Sequence, residues 1–172
     1  ATVGFFSSFG FCYTCRFIDI PASTGFGDPI QKMFRLKDGE KIVSAASFDP
    51  RLYNLVPPDE NHFPEDFGIA VSNNGFALLF SCDALIEPST RNGRRFARVG
   101  TGHKLVGVQV IDDTYDITLA ISRDCRAMVC PTNEINFLSG PGKGVTLIRL
   151  AKTDELIGFK ESKGERDLLL VE

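Results

Sequence analysis

Arg91, Arg94, Arg95, Arg98 and Lys104 fall in residues 88–108, a stretch with no acidic residue. One chemistry that a run of cations without counter-charges can serve is contact with the phosphates of a nucleic acid. Lys143 sits in a second such place, the turn GPGKG at 140–144, where glycines allow backbone N–H groups to approach an anion closely. Arg149 lies just beyond that turn, and Arg35 occupies a matching place early in the chain. The competing reading of all eight is that they are solvated charges at strand ends, the usual fate of Arg and Lys. Acid is gathered elsewhere: Asp49, Asp59, Glu60, Glu65 and Asp66 face only Arg51 within residues 49–66. With a net charge of −3 over 172 residues, uniform attraction to a polyanion is excluded, and any such binding must be local.

Other reactive residue types lead nowhere comparable. Cys12 and Cys15 form a CxxC, but no second pair exists, and His62 and His103 are both remote in sequence. On an extended strand, residues three apart also point to opposite faces. The five cysteines are therefore expected to be free, reduced thiols of a cytosolic protein, with no metal bound. No GxSxG, P-loop, HExxH or paired-carboxylate motif occurs, and GFGDPIQKMF lacks the spacing of a dinucleotide fingerprint. Tyr13, Tyr53 and Tyr115 lie in no recognisable DNA-cleavage motif. Neither catalysis nor a cofactor is expected from this chain alone. No apolar run reaches the roughly 20 residues that cross a bilayer, so no membrane partner is expected. The chain opens at Ala1 directly in the apolar run VGFF, which reads as a piece of a larger protein.

The elements that must carry these cations repeat. VGFFS, GIAVS and TLAIS each close on a serine, Ser7, Ser72 and Ser122, spaced by 65 and 50 residues. In that register Ile20, Leu85 and Ile135 share a column, as do Gly10 and Gly75. In the second half of each unit Arg35, Arg98 and Arg149 align, followed by Ile42-Val43, Leu105-Val106 and Leu156-Ile157. The longer first spacing is absorbed by a Pro-rich acidic insertion read as a loop, and DLLLVE at 167–172 falls where a fourth copy would start. Copies near 1–48, 67–112 and 114–162 each have room for four short strands, which predicts an all-β, propeller-like array. One small twisted sheet cannot cover both its faces, whereas stacked neighbours can. No segment keeps a 3.6-residue apolar period long enough for a major helix. An irregular β-sandwich with coincidental spacing is the alternative.

SNNGFALLFSCDAL and SRDCRAMVCPTNEINFLSGPGKGVTLIRLAKTDELIGF resemble blades of the C-terminal domain of bacterial type IIA topoisomerase A subunits. FFSSFGFCYTCRFIDIPASTGFGDPIQKMFRLKDGEKIV is similar, with a GFGDPI turn like that of topoisomerase IV members. The resemblance implies a β-pinwheel, a disc whose blades exchange strands, with duplex DNA held on a basic rim. It implies a nucleoid-associated bacterial protein, with the rest of the A subunit and an ATPase B subunit as partners. Three copies imply a partial domain. The nearest approach to the arginine-bearing gyrase A box is LSGPGKG at 138–144, which keeps Lys143 but lacks the paired arginines, favouring topoisomerase IV over gyrase. A protein-interaction propeller, docking a basic partner on its acidic loop without binding DNA, is the competing class.

Overall fold

The computed structural model describes residues 1–49, 51, 67–111 and 115–164. The acidic loop expected at 57–66, His62, Tyr53 and the fourth lead strand expected at 167–172 lie outside the described residues. The rest is strand after strand: β1 (Thr2–Ser7), β2 (Phe11–Arg16), β3 (Ile42–Ser47), β4 (Phe67–Ser72), β5 (Phe76–Ser81), β6 (Arg94–Arg95), β7 (Leu105–Ile111), β8 (Ile117–Ser122), β9 (Ala127–Pro131), β10 (Phe137–Leu138), β11 (Val145–Thr146) and β12 (Leu156–Ser162). A single α-helical turn, α1 (Asp83–Ile86), interrupts them.

The three lead strands end on Ser7, Ser72 and Ser122. In each, the serine carbonyl accepts the N–H of the residue three further on, Gly10, Gly75 or Cys125, and so closes a hairpin turn. The hydroxyl bonds to the backbone of the residue four further on, Phe11, Phe76 or Arg126. Past each second strand the chain makes one tight helical turn, where Ile20, Leu85 and Ile135 donate to the carbonyls of Phe17, Cys82 and Thr132. The fourth strands begin at Ile42, Leu105 and Leu156.

The third strand leaves its own sheet. The first sheet is ordered β3-β1-β2-β6 and the second β7-β4-β5-β10, with β11 also on β5. β6, from the second repeat, thus completes the first blade, while β10 and β11, from the third, complete the second. Blade 3, β12-β8-β9, has three strands among the described residues. Repeat 1 has no third strand, because no neighbouring edge lies beside it among the described residues. Its connection instead makes a 3-10 turn at Ile30–Lys32 and folds Phe34 against Tyr13.

The joint between blades is a shared carbonyl. Gly10 O accepts from Phe96 N at 2.9 Å and Ala97 N at 3.2 Å, and Gly75 O accepts from Leu147 N at 2.8 Å and Ile148 N at 3.2 Å. Both glycines have positive φ, and a Cβ would stand 2.4 Å from Ala97 O or 2.3 Å from Ile148 O. No L side chain fits so close an approach.

Burial follows from stacking. Every residue of β4 is buried, with Ala70 in the core shared with blade 1 and Phe67, Ile69 and Val71 in the core shared with blade 3. β8, in the last blade, alternates buried and half-buried positions. Phe6 anchors the first shared core, edge-on to Phe96 at 5.3 Å and against Phe48 and Phe80. Truncating such a ring costs about 3–5 kcal/mol. Cys12 and Cys15 do fall on opposite faces of β2, one in the shared core and the other in the small cluster on the outer face. Burial pushes the Cys12 thiol up to about 11.

One buried acid is poorly served. Glu161 is 1% exposed; its Oε2 accepts from Thr132 Oγ1 at 2.8 Å, while its Oε1 has no partner among the described residues. Burial raises its carboxyl above the ordinary value, with Thr118, Thr132 and Lys160 pulling the other way. A carboxyl with a higher pKa folded than unfolded stabilises the fold only while protonated, a contribution lost as pH rises through the folded pKa. In urea unfolding, Glu161→Gln is therefore expected to be more stable than the parent at pH 7. The gap should narrow as pH falls toward the unshifted value of 4.5. At the joint, Gly75→Ala is expected to lower stability by roughly 2–4 kcal/mol, from backbone strain and weakened docking bonds. Cys125→Gly, at the matching position of blade 3, should stay within about 1 kcal/mol. Equal losses at the two positions would contradict the role given to the joint.

Candidate nucleic-acid interface

The candidate cations ride mainly on the connections that carry the exchanged strands, and successive connections lie side by side. Arg35 N donates to Arg91 O at 2.7 Å, and one repeat later Arg98 N donates to Gly142 O at 2.8 Å. Ala97 and Gly142 also form a parallel bridge. This backbone ladder brings Arg35 beside Arg91, and Arg98 beside the GPGKG turn. Arg91 also reaches across to Lys32 O at 3.3 Å. Arg35, Arg91, Arg95, Arg98, Lys143 and Arg149 are all exposed.

Aromatic rings support two of them. The Arg95 guanidinium lies 4.8 Å from the centroid of Phe11, and the Lys143 ammonium 3.8 Å from that of Phe76. Phe11 and Phe76 follow the two joint glycines, so each exchanged connection lays one cation over the ring after the turn. A cation on a ring face is held for about 0.5–1 kcal/mol at exposed sites while keeping its outer side open to an anion. The recurring Gly-Phe dipeptides carried this signal in the sequence, and the reading by charge alone passed over it.

Two candidates differ from the rest. Arg94 is half-buried and turned inward, its guanidinium donating to Glu87 O and, at 3.0 Å, to Pro88 O. It braces the connection that other cations use as a platform. Lys104 stands in the polar turn before β7, where its backbone bonds to Asn73 rather than to the ladder. Within GPGKG, Gly144 meets a packing demand, since a Cβ would stand 2.0 Å from Ala77 O. Gly140 faces open space and is free to let an anion approach.

The same connections leave a cavity of about 320 Å³ lined by Phe80, Leu85, Arg95, Phe96, Leu138 and residues 139–141. Among the described residues no cluster of His, Cys, Asp and Glu is arranged to hold a metal ion. No helix of the described residues is long and apolar enough to cross a membrane. Among the described residues, Tyr13 is the one strongly perturbed phenol. Burial pushes its hydroxyl well above the ordinary range, and Glu40, which accepts its proton at 3.0 Å, adds to this. With Glu40 also accepting from Lys37 N, the pair closes the polar turn of repeat 1.

A family model described as the DNA gyrase C-terminal domain, beta-propeller, matches residues 5–49, 69–112 and 126–161. Among solved structures, the C-terminal domain of a DNA topoisomerase IV superposes with a TM-score of 0.77 at 13% identity, over 94% of this chain and 47% of that one. The E. coli ParC C-terminal domain gives 0.69 at 20% identity, covering 93% of this chain and 61% of that one. A DNA gyrase A C-terminal domain gives 0.66 at 12% identity, covering 93% and 47%. The chain thus spans about half to three-fifths of the length of these domains. No curated protein matches it in sequence.

Arg94→Ala is expected to cost about 1–2 kcal/mol in urea unfolding, through two lost charge-assisted bonds to carbonyls. Arg98→Ala, on a free cation of the same stretch, should change stability by less than about 0.5 kcal/mol.

Proposed function

The chain belongs to the family of DNA gyrase C-terminal β-propeller domains, and from that premise we propose that it is a non-catalytic module that holds duplex DNA by its phosphates. In this reading it is part of a type IIA topoisomerase A subunit and serves that enzyme's control of DNA topology. The rest of the A subunit, an ATPase B subunit and duplex DNA are its partners. The observation that carries the proposal is the ladder from Arg35 to Arg91 and from Arg98 to Gly142. Because each connection is tied to the next, their cations follow one another along a continuous backbone path. A curved duplex needs phosphate contacts at intervals and little else for binding that ignores sequence.

The contact set is Arg35, Arg91, Arg95, Arg98, Lys104, Lys143 and Arg149, with Arg94 acting chiefly as their support. LSGPGKG lacks paired arginines, which favours a topoisomerase IV-like domain over a gyrase-like one. The net charge of −3 keeps affinity low, since acidic segments repel the backbone that the ladder attracts. The competing reading, a protein-interaction propeller without DNA, rests on an acidic loop that lies outside the described residues, whereas the DNA reading is supported by the bonds that join the cation-bearing connections.

Gel-shift titrations over a salt series test the proposal. Log affinity should fall with log salt by about 0.9 for each phosphate neutralised. The combined variant Arg95→Ala, Arg98→Ala and Lys143→Ala should weaken binding alike on unrelated duplexes and flatten that slope by roughly 2–3. If it bound as tightly as the parent, the interface would be misassigned and the protein-interaction reading would move ahead.

A further inference from the structure

Lys37 stands outside the repeating pattern of cations. Its column holds Gly100 and Ala151 in the other two copies, so no recurrence marks it in the sequence. Its backbone is fixed in the polar turn of repeat 1, where Lys37 N donates to Glu40 Oε2 at 2.7 Å. The other oxygen of this buried acid accepts from the Tyr13 hydroxyl at 3.0 Å. Glu40 is thus engaged through both oxygens, and among the described residues no carboxylate pairs with the Lys37 ammonium. Asp38, the next residue, is exposed. The ammonium lies instead 4.4 Å from the centroid of Phe11.

That ring already carries Arg95, at 4.8 Å. Arg95 arrives from β6, which repeat 2 lends, as the direct cross-strand partner of Phe11. Lys37 arrives from the polar turn of repeat 1 itself. The two cations can stand no further apart than the sum of their distances to the shared centroid. A duplex carries about one phosphate per 1.7 Å of axis, so two cations this close find two phosphates within reach. Phe76 differs, since among the described residues it holds Lys143 alone, at 3.8 Å. A ring beneath a long side chain removes conformations that binding would otherwise have to freeze.

Resting on the DNA reading above, we propose that Lys37 is a further phosphate contact and that Phe11 is a positioning residue for two contacts. It orders Lys37 from repeat 1 and Arg95 from repeat 2, whereas Phe76 orders Lys143 only. The hairpin of blade 1 is therefore the strongest single anchor for DNA among the described residues.

Gel-shift titrations of the whole chain on a mixed-sequence duplex, over a salt series, test this. Lys37→Ala should weaken binding and lower the salt slope by about 0.9, one phosphate fewer. Phe11→Leu should weaken binding while keeping the parental slope, because every charge remains. Its loss should be the product of two factors of about two- to fivefold, the worth of a ring to each exposed cation, against one such factor for Phe76→Leu. In a background already carrying Lys37→Ala and Arg95→Ala, Phe11→Leu should weaken binding no further. A parental slope in Lys37→Ala, with the parent binding DNA, would overturn the contact and leave the DNA reading standing. A Phe11→Leu loss no greater than that of Phe76→Leu, or one that persists without the two cations, would overturn the positioning role. Should Phe11→Leu not fold, Phe11→Met takes its place, and the Lys37→Ala slope decides in either case. A parent without affinity for the duplex at low salt would bring down both readings together.

Discussion

One carbonyl in each of the first two hairpin turns holds this array together. Gly10 O and Gly75 O each receive two N–H groups from the following repeat, and only a residue without a side chain can present a carbonyl so closely. A second bond runs parallel to it, from Leu105 N to Ser8 O and from Leu156 N to Asn73 O. Each blade is thereby pinned to its successor at the hairpin end, and the apolar faces meet in a fixed register. Phe6, Phe80 and Phe96 then interlock in a core belonging to neither blade alone. The bonds set the geometry, while burial of those rings supplies most of the free energy.

Strand exchange follows from the size of the unit. A three-stranded meander leaves its second strand with an open edge, and edge strands that stay open invite pairing. Borrowing two residues from the next repeat covers the part of that edge nearest the hairpin. The lender gains as well, because β6 is too short to persist as a strand except by pairing. Among the described residues no lender lies beside β9, and blade 3 there has three strands.

The repeat was legible because its markers are local. A serine at a strand end, a turn residue three further on and an apolar residue in the next tight turn each obey short-range rules, so Ser7, Ser72 and Ser122 bring Ile20, Leu85 and Ile135 with them. Which sheet a third strand joins is not a local property, and nothing in Arg94-Arg95 states that it pairs with Phe11 and Cys12. The resemblance of the last and first copies to topoisomerase blades carried that expectation instead. The exposure of Ile20, unlike the buried Leu85 and Ile135, also escaped the columns, since exposure depends on what neighbours the blade rather than on the repeat. For the cations, sequence gave their grouping but not their use. Arg94 and Arg98 belong to one basic run, yet one is spent on two carbonyls while the other is exposed.

The placement of these cations couples surface to core. Arg95 lies on the exchanged strand itself and Lys143 in the turn that delivers the next one, each above the ring that follows a joint glycine. A cation so placed cannot move far without disturbing the docking of its blade, so the surface inherits the rigidity of the joint. The converse also holds. An anion bound by Arg95, Arg98 and Lys143, as proposed, would bridge connections contributed by two repeats, and its binding energy would add to the bonds already holding them in register. Arg35 and Arg91 extend the same logic to the first repeat through their backbone bond. These like charges are concentrated where the chain crosses between blades, at a cost in mutual repulsion that scattering them would lessen. A polyanion bound along that path, as proposed, would neutralise this repulsion and tie successive repeats together.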